Sequence, residues 1–135
     1  MKEITVQAVL QNIEVVTDFI NAELELLDCP MKAQIQIDVA IDELFSNIAR
    51  YAYGDSVGEA TVRIGEEEDP RRVVITFIDS GVAFNPLDTA DPDTTLSAEE
   101  RGIGGLGIFM VRKTMDEMDY SYISGQNVLT IKKKL

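Results

Sequence analysis

The first residues whose types and spacing suit chemistry are Glu43 and Asn47. They are four residues apart, so on a helix they share one face. Leu44 and Ile48 directly follow these two residues, so the face that carries Glu43 and Asn47 borders the apolar stripe of the helix. Burying a carboxylate and an amide there costs free energy unless each has a polar partner. An amide oxygen suits Mg²⁺, which takes phosphate oxygens and waters as its other ligands, and a carboxylate one turn away suits a general base. The pair also fits an ordinary solvated helix face.

The second candidate is the segment FIDSGVAFNP, in which an apolar strand ends at Asp79. A carboxylate only accepts hydrogen bonds, so it suits a ligand that presents an amine, such as the exocyclic group of adenine. Gly81 has no Cβ and lets a flat ring approach the backbone. Phe84 lies in the same segment and is a candidate for contact with such a ligand. The alternative is a plain Asp–Ser–Gly turn at the end of a strand.

The third candidate is a glycine loop in which Gly102, Gly104 and Gly107 satisfy the pattern G-x-G-x-x-G. Free backbone amides at the start of a helix form a site for phosphate. The loop follows an acidic, proline-containing stretch late in the chain, which argues against a dinucleotide fold, and no G-x-x-x-x-G-K-[ST] pattern occurs. A flexible hinge is the alternative interpretation.

Three helices and five strands are expected to position these residues. Period-two runs predict strands at 2–9, 60–65, 73–78, 119–124 and 128–133, and apolar residues at spacings of three and four predict helices at 10–27, 32–53 and 105–117. A long loop spans 79–104, a length typical of functional or mobile segments. This order predicts an α/β two-layer sandwich, with a mixed, mainly antiparallel sheet covered on one face by the three helices, and disfavours a doubly wound fold.

Composition and net charge exclude several classes of function. The 135 residues fit a single domain, 1–135. With 24 acidic and 12 basic residues the formal net charge is -12, whereas nucleic-acid binders show a basic face, so no direct contact with nucleic acid is expected. The single cysteine and the absence of histidine exclude an intramolecular disulfide and a Cys–His catalytic pair. No signal peptide or apolar run of membrane-spanning length is present, so a cytoplasmic protein without a membrane partner is expected.

The order of the three candidates carries more information than any one of them. Glu-x-x-x-Asn on a helix, Asp-x-Gly after a strand and a glycine loop opening a helix together resemble the GHKL (gyrase–Hsp90–histidine-kinase, or Bergerat-fold) ATPases. The segments DSGVAFNP, GIGGLGIFMVRKTMDEMDY and NVLTIKK are similar to those of the bacterial anti-sigma-factor serine kinases within that superfamily.

The resemblance implies ATP and Mg²⁺ as cofactors and assigns roles to single positions. Asn47 would be the Mg²⁺ ligand, Glu43 the catalytic base, and Asp79 the adenine contact with Gly81 beside it. The remaining expected nucleotide contacts are Phe84, Gly102, Gly104, Gly105, Leu106 and Gly107, with Arg50 and Arg101 added as phosphate contacts on charge and position. Arg50 and Tyr51 stand where members of this family often carry a histidine.

The resemblance also implies partners: a sigma factor, a STAS-type anti-anti-sigma protein that is phosphorylated on serine, and a second copy in a homodimer. Three alternatives stay open. The first is an ATP-gated binding module without catalysis. The second is a fragment of a sensor histidine kinase, although the chain has no histidine to accept a phosphoryl group. The third is an interaction domain without nucleotide, which requires the order of the motifs to be coincidental.

Overall fold

The computed structural model describes residues 1–88 and 105–135, without the side chains of residues 105 and 106. The main elements are β1 (Lys2–Gln7), α1 (Ile13–Leu26), α2 (Met31–Asn47), β2 (Glu59–Glu67), β3 (Arg72–Asp79), α3 (Gly105–Thr114), β4 (Glu117–Ile123) and β5 (Gln126–Lys134). Their order is the order predicted from the sequence. None of the described helices is long and apolar enough to cross a membrane.

The strands form one five-stranded sheet in the order β1-β2-β3-β5-β4. All four pairings are antiparallel, so the sheet lacks, among its described strands, the parallel pair that a mixed sheet would contain. The hairpin between β4 and β5 turns at Ser124 and Gly125, whose φ angles are +52° and +79°. Two successive positive φ values are typical of the tight hairpin turns whose twist matches the strands they join.

The helices cover one face of the sheet, as predicted. Along β2 and β3 every second side chain is buried, because neighbouring side chains of a strand point to opposite faces. The residues that form this core are Ala60, Val62, Ile64, Val73, Ile75, Phe77, Leu129 and Ile131 from the sheet, and Val16, Ile20, Leu24, Ile37, Ile41, Leu44, Phe45, Ile108 and Val111 from the helices.

The second helix differs from its prediction at its end. It begins after Pro30, whose extended backbone (ψ 146°) ends the preceding loop. The α-helix ends at Asn47, and one turn of π-helix, Ile48–Ala52, replaces the predicted continuation to Tyr53. Single π turns inside helices are rare and occur frequently at functional sites. The third helix is also shorter than predicted, since it ends at Thr114 and β4 begins at Glu117.

Candidate functional site

A cleft opens where β3 ends and β5 begins, beside the last turns of α2. Three of the side chains predicted from the sequence line it, namely Asn47, Asp79 and Phe84. The other lining residues are mostly apolar: Leu44, Ile48, Tyr51, Ala52, Phe77, Val82, Pro86, Tyr120, Asn127 and Leu129. A mainly apolar cleft with a few convergent polar groups is the usual form of a small-molecule site.

Asp79 is the buried polar end of this cleft, with 5% of its surface exposed. Its Oδ1 atom accepts hydrogen bonds from the Gly81 backbone N–H and from Asn127 Nδ2, both at 2.9 Å. No described residue donates to Oδ2. Asp79 lines the cleft, and its Oδ2 is not among the fully buried side-chain atoms of the described residues that lack a partner. Asp79 therefore has one acceptor available for a ligand that presents an N–H group.

Asn127 is a polar residue of the cleft that the sequence did not single out. It lies directly opposite Asp79 in the register of β3 and β5, and it is 6% exposed. Its Nδ2 donates to Asp79 and, at 2.9 Å, to the Val82 carbonyl, while its Oδ1 accepts from the Phe84 backbone N–H at 3.1 Å and from the Tyr120 hydroxyl. Asn127 thus connects the carboxylate to the chain segment that follows it.

Two hydrogen bonds connect the residues after Asp79 to the π turn and to Tyr53, the residue that follows it. The Val82 N–H donates to the Ala52 carbonyl at 2.8 Å, and the Ser80 N–H donates to the Tyr53 hydroxyl at 2.9 Å. A Cβ at Gly81 would lie 2.2 Å from the Ala52 carbonyl oxygen, so glycine is required here by the approach of this backbone. That reason differs from the approach of a flat ring expected from the sequence.

Replacing Gly81 with Ala should lower the free energy of unfolding by about 1–3 kcal/mol, because the added methyl group meets backbone atoms that cannot rotate away. Urea denaturation of the variant and the wild type measures the change. Gly65→Ala is the matched control, since its Cβ would lie 3.2 Å from the flexible end of Met1 and should change stability little. Equal unfolding midpoints for Gly81→Ala and wild type would contradict the assigned contact.

Glu43 lies one helical turn before Asn47 and away from the lining of the cleft. Its carboxyl group fills the place that a Cβ of Gly107 would take, with the carboxyl carbon 2.1 Å from that position. The carboxylate therefore packs on the first turns of α3. Burial raises the pKa of Glu43; the Asp42 charge raises it further, and the Arg50 charge opposes the shift. Arg50 itself is exposed and does not line the cleft.

Asn47, predicted as the metal ligand, lies one helical turn after Glu43 and lines the cleft together with Asp79. Its side chain lines the cleft and forms no hydrogen bond with any described residue. A free amide oxygen fits Mg²⁺, which binds through one or two protein oxygens plus substrate phosphates. The Glu43 carboxylate, one turn earlier on α2, contacts the start of α3.

Part of the predicted glycine loop lies outside the described residues. This applies to Arg101, Gly102 and Gly104, and to the side chain of Leu106. Gly105 is described only as the first residue of α3. Gly107 is the one loop glycine whose surroundings are defined, and it contacts Glu43.

Comparison with known proteins matches this chain to one family. Residues 6–133 match the family model of the histidine kinase-like ATPase domain. The serine-protein kinase RsbW of Bacillus mycoides (strain KBAB4) is 33% identical over 103 residues, and that of Bacillus cereus (strain B4264) is 34% identical over 98 residues; each match covers 70% of this chain and 60% of the relative. The Acinetobacter baumannii histidine kinase AdeS has a similar fold, with a TM-score of 0.50 at 15% identity over 99% of this chain and 68% of that one.

Proposed function

This chain belongs to the histidine kinase-like ATPase domain family, and we propose that it is a Mg²⁺-ATP-dependent protein serine kinase that also binds a sigma factor. Its substrate would be a serine on a STAS-type anti-anti-sigma protein, and it would act in the cytoplasm as a homodimer. The observation that carries the proposal is that Asn47 and Asp79 line one cleft, while Glu43, one helical turn before Asn47, packs against the first turns of α3. The curated relatives named serine-protein kinase support it, although the chain spans about 60% of their length.

Adenine fits the buried end of the cleft because Asp79 retains one acceptor. The exocyclic amine of adenine is a donor, and a site whose buried polar group needs a partner strongly rejects analogues without one. The apolar walls, including Phe77, Leu129 and the half-exposed Phe84, suit the faces of a flat base. The base would then lie with its amine toward Asp79.

Asn47 would hold Mg²⁺ between the protein and the phosphates. The ion would neutralise charge on the phosphate oxygens, which is the main electrostatic requirement of phosphoryl transfer. The backbone N–H groups at the start of α3 suit the phosphates themselves, because a helix begins with unpaired donors and a positive dipole end. Arg50, Arg101, Gly102, Gly104 and Gly105 remain proposed phosphate contacts on the strength of the sequence.

Glu43 would act as the base. It would accept the proton of the substrate serine hydroxyl while the serine Oγ bonds to the γ-phosphorus and the bond to the bridging oxygen of the departing ADP breaks. Its place against Gly107 supports this role, because the carboxylate is held next to the helix start that suits the phosphates. Its raised pKa is in the direction expected of a base tuned toward neutral pH.

Gly107→Ala should reduce phosphoryl transfer by about 10- to 100-fold, because the new methyl group would displace the Glu43 carboxylate from its position. Stability should be unchanged or raised by up to about 1 kcal/mol, since alanine favours a helix and the displaced atoms are the end of a flexible side chain. Single-turnover transfer and thermal unfolding measure the two effects. When Gly107→Ala is added to Glu43→Gln, phosphoryl transfer should not fall further. A further loss of about 10- to 100-fold in the double variant would show that Gly107 affects transfer independently of Glu43.

Two measurements test the proposal as a whole. Isothermal titration with ATP, with and without Mg²⁺, should show binding that depends on the ion. Radiolabel from γ-labelled ATP should then appear on a STAS-type protein that carries its target serine, and an alanine in place of that serine should abolish the signal. Binding of ATP without transfer to any such protein would leave a nucleotide-binding domain and overturn the kinase assignment. No binding to the wild type would overturn both.

A further inference from the structure

A chain of side-chain hydrogen bonds runs from the edge strand β4 to the ligand-facing carboxylate. The Tyr120 hydroxyl donates to Asn127 Oδ1, and Asn127 Nδ2 donates to Asp79 Oδ1 at 2.9 Å. The register explains the contact: Tyr120 pairs with Leu129, so Asn127 is its diagonal neighbour two residues away on β5, within reach of a long aromatic side chain. Asn127 is in turn directly opposite Asp79.

The partners of Asn127 permit only one orientation of its amide. Two donors, the Phe84 backbone N–H and the Tyr120 hydroxyl, face its oxygen. Two acceptors, Asp79 Oδ1 and the Val82 carbonyl, face its nitrogen. A flipped amide would set its oxygen against the carboxylate and its NH₂ group against the Phe84 N–H. Without the Tyr120 hydroxyl, the Asn127 oxygen keeps one of its two donors, the Phe84 N–H, and the amide is held by three partners instead of four.

The Asn127 amide fixes how Asp79 presents its carboxylate, which is an acceptor on either oxygen, to a ligand. While Nδ2 holds Oδ1, the carboxylate cannot rotate without losing that hydrogen bond and the one from Gly81. Oδ2, which no described residue bonds, then stays as the acceptor in the cleft. The Tyr120 ring also lines the cleft, so replacing Tyr120 with Phe removes the hydroxyl and keeps the wall.

We propose that Tyr120 is a positioning residue for base selection: it fixes Asn127, and through it Asp79, so that the cleft accepts a purine with an amine at C6 and rejects one with a carbonyl there. This rests on the proposed binding of ATP in the cleft. Tyr120 acts on Asp79 through Asn127, and Phe84 and Val82 are held by the same amide, so the wall and the acceptor are set together.

The test compares the dissociation constants of ATP and ITP, which differ at C6, for wild type, Tyr120→Phe and Tyr122→Phe. In Tyr120→Phe the affinity for ATP should fall about 5-fold, the typical effect of one lost hydrogen bond, while the affinity for ITP changes less than about 2-fold. The preference for ATP over ITP should therefore fall about 5-fold. Tyr122→Phe is the matched control, since Tyr122 is on the same face of β4, is 49% exposed and bonds no described residue through its hydroxyl.

Each outcome has one meaning. A reduced ATP-to-ITP preference in Tyr120→Phe alone supports the inference. An unchanged preference, or an equal loss of both nucleotides, would overturn it, because a merely structural tyrosine weakens both ligands alike. A wild type that binds ATP and prefers it over ITP keeps the proposed function even if Tyr120 proves irrelevant. A wild type that binds neither nucleotide would be a failure of the proposed function instead.

Discussion

Asp79→Asn should weaken ATP binding at least about 100-fold, and ITP binding far less. The substituted amide can still accept the hydrogen bonds of Gly81 and Asn127 through its oxygen, so its NH₂ group takes the place of Oδ2. That group is a donor, which opposes the amine of adenine and suits the carbonyl of hypoxanthine. Isothermal titration with both nucleotides measures the change, and the preference for ATP over ITP should shrink or reverse.

Asp88→Asn is the matched control for this loss. It makes the same chemical change on an exposed residue of the nearby 3₁₀ turn, Pro86–Asp88, and should leave ATP binding unchanged. Circular dichroism should show that Asp79→Asn keeps its fold, because the buried hydrogen bonds of this position survive the change. Undiminished ATP binding by a folded Asp79→Asn protein would show that the base is recognised elsewhere, and the cleft would lose its assigned ligand.

The element order was predictable because the periodicity of apolar residues is local information. Strand β3 alternates over its whole length and β2 over residues 59–65, and the helices carry their apolar residues at spacings of three and four. The π turn after Asn47 was not predictable in this way, because its apolar pattern continues that of α2. It depends on contacts from distant residues: Val82 and Ser80 bond the Ala52 carbonyl and the Tyr53 hydroxyl.

The burial of Asp79 was predictable from the same local periodicity of apolar residues. Asp79 continues the inward positions of Val73, Ile75 and Phe77 on β3, so a carboxylate at that position is buried and needs partners. The burial of Asn127 is indicated in the same way, because it precedes the inward residues Leu129 and Ile131 at spacings of two. Its pairing with Asp79 on β3 follows only from the strand register. The contact between Glu43 and Gly107 joins positions far apart in the chain, and no local pattern indicates it.

Glu43→Gln should lower phosphoryl transfer by about 100-fold or more, while Mg²⁺-dependent ATP binding persists, because the amide keeps the size of the side chain but cannot take a proton. In the wild type, transfer should fall as the pH drops through the raised pKa of Glu43, since only the ionised form is a base. Single-turnover transfer across a range of pH measures both effects. Asp42→Asn is the control: it should retain transfer and move the acid limb to lower pH, because the Asp42 charge raises the pKa of Glu43.

Stability gives an independent check on the same residue. Burial raises the pKa of Glu43 in the folded protein above its unfolded value of 4.5, so the ionised carboxylate costs stability above the folded pKa and the cost vanishes below 4.5. Glu43→Gln should therefore unfold at the same or a higher temperature than wild type at neutral pH. If the Glu43 charge destabilises the fold and serves only catalysis, its removal in Glu43→Gln should raise stability and lower phosphoryl transfer together.

If Glu43→Gln still regulates the proposed partner protein in full, catalysis is dispensable and the domain acts as an ATP-gated binding module.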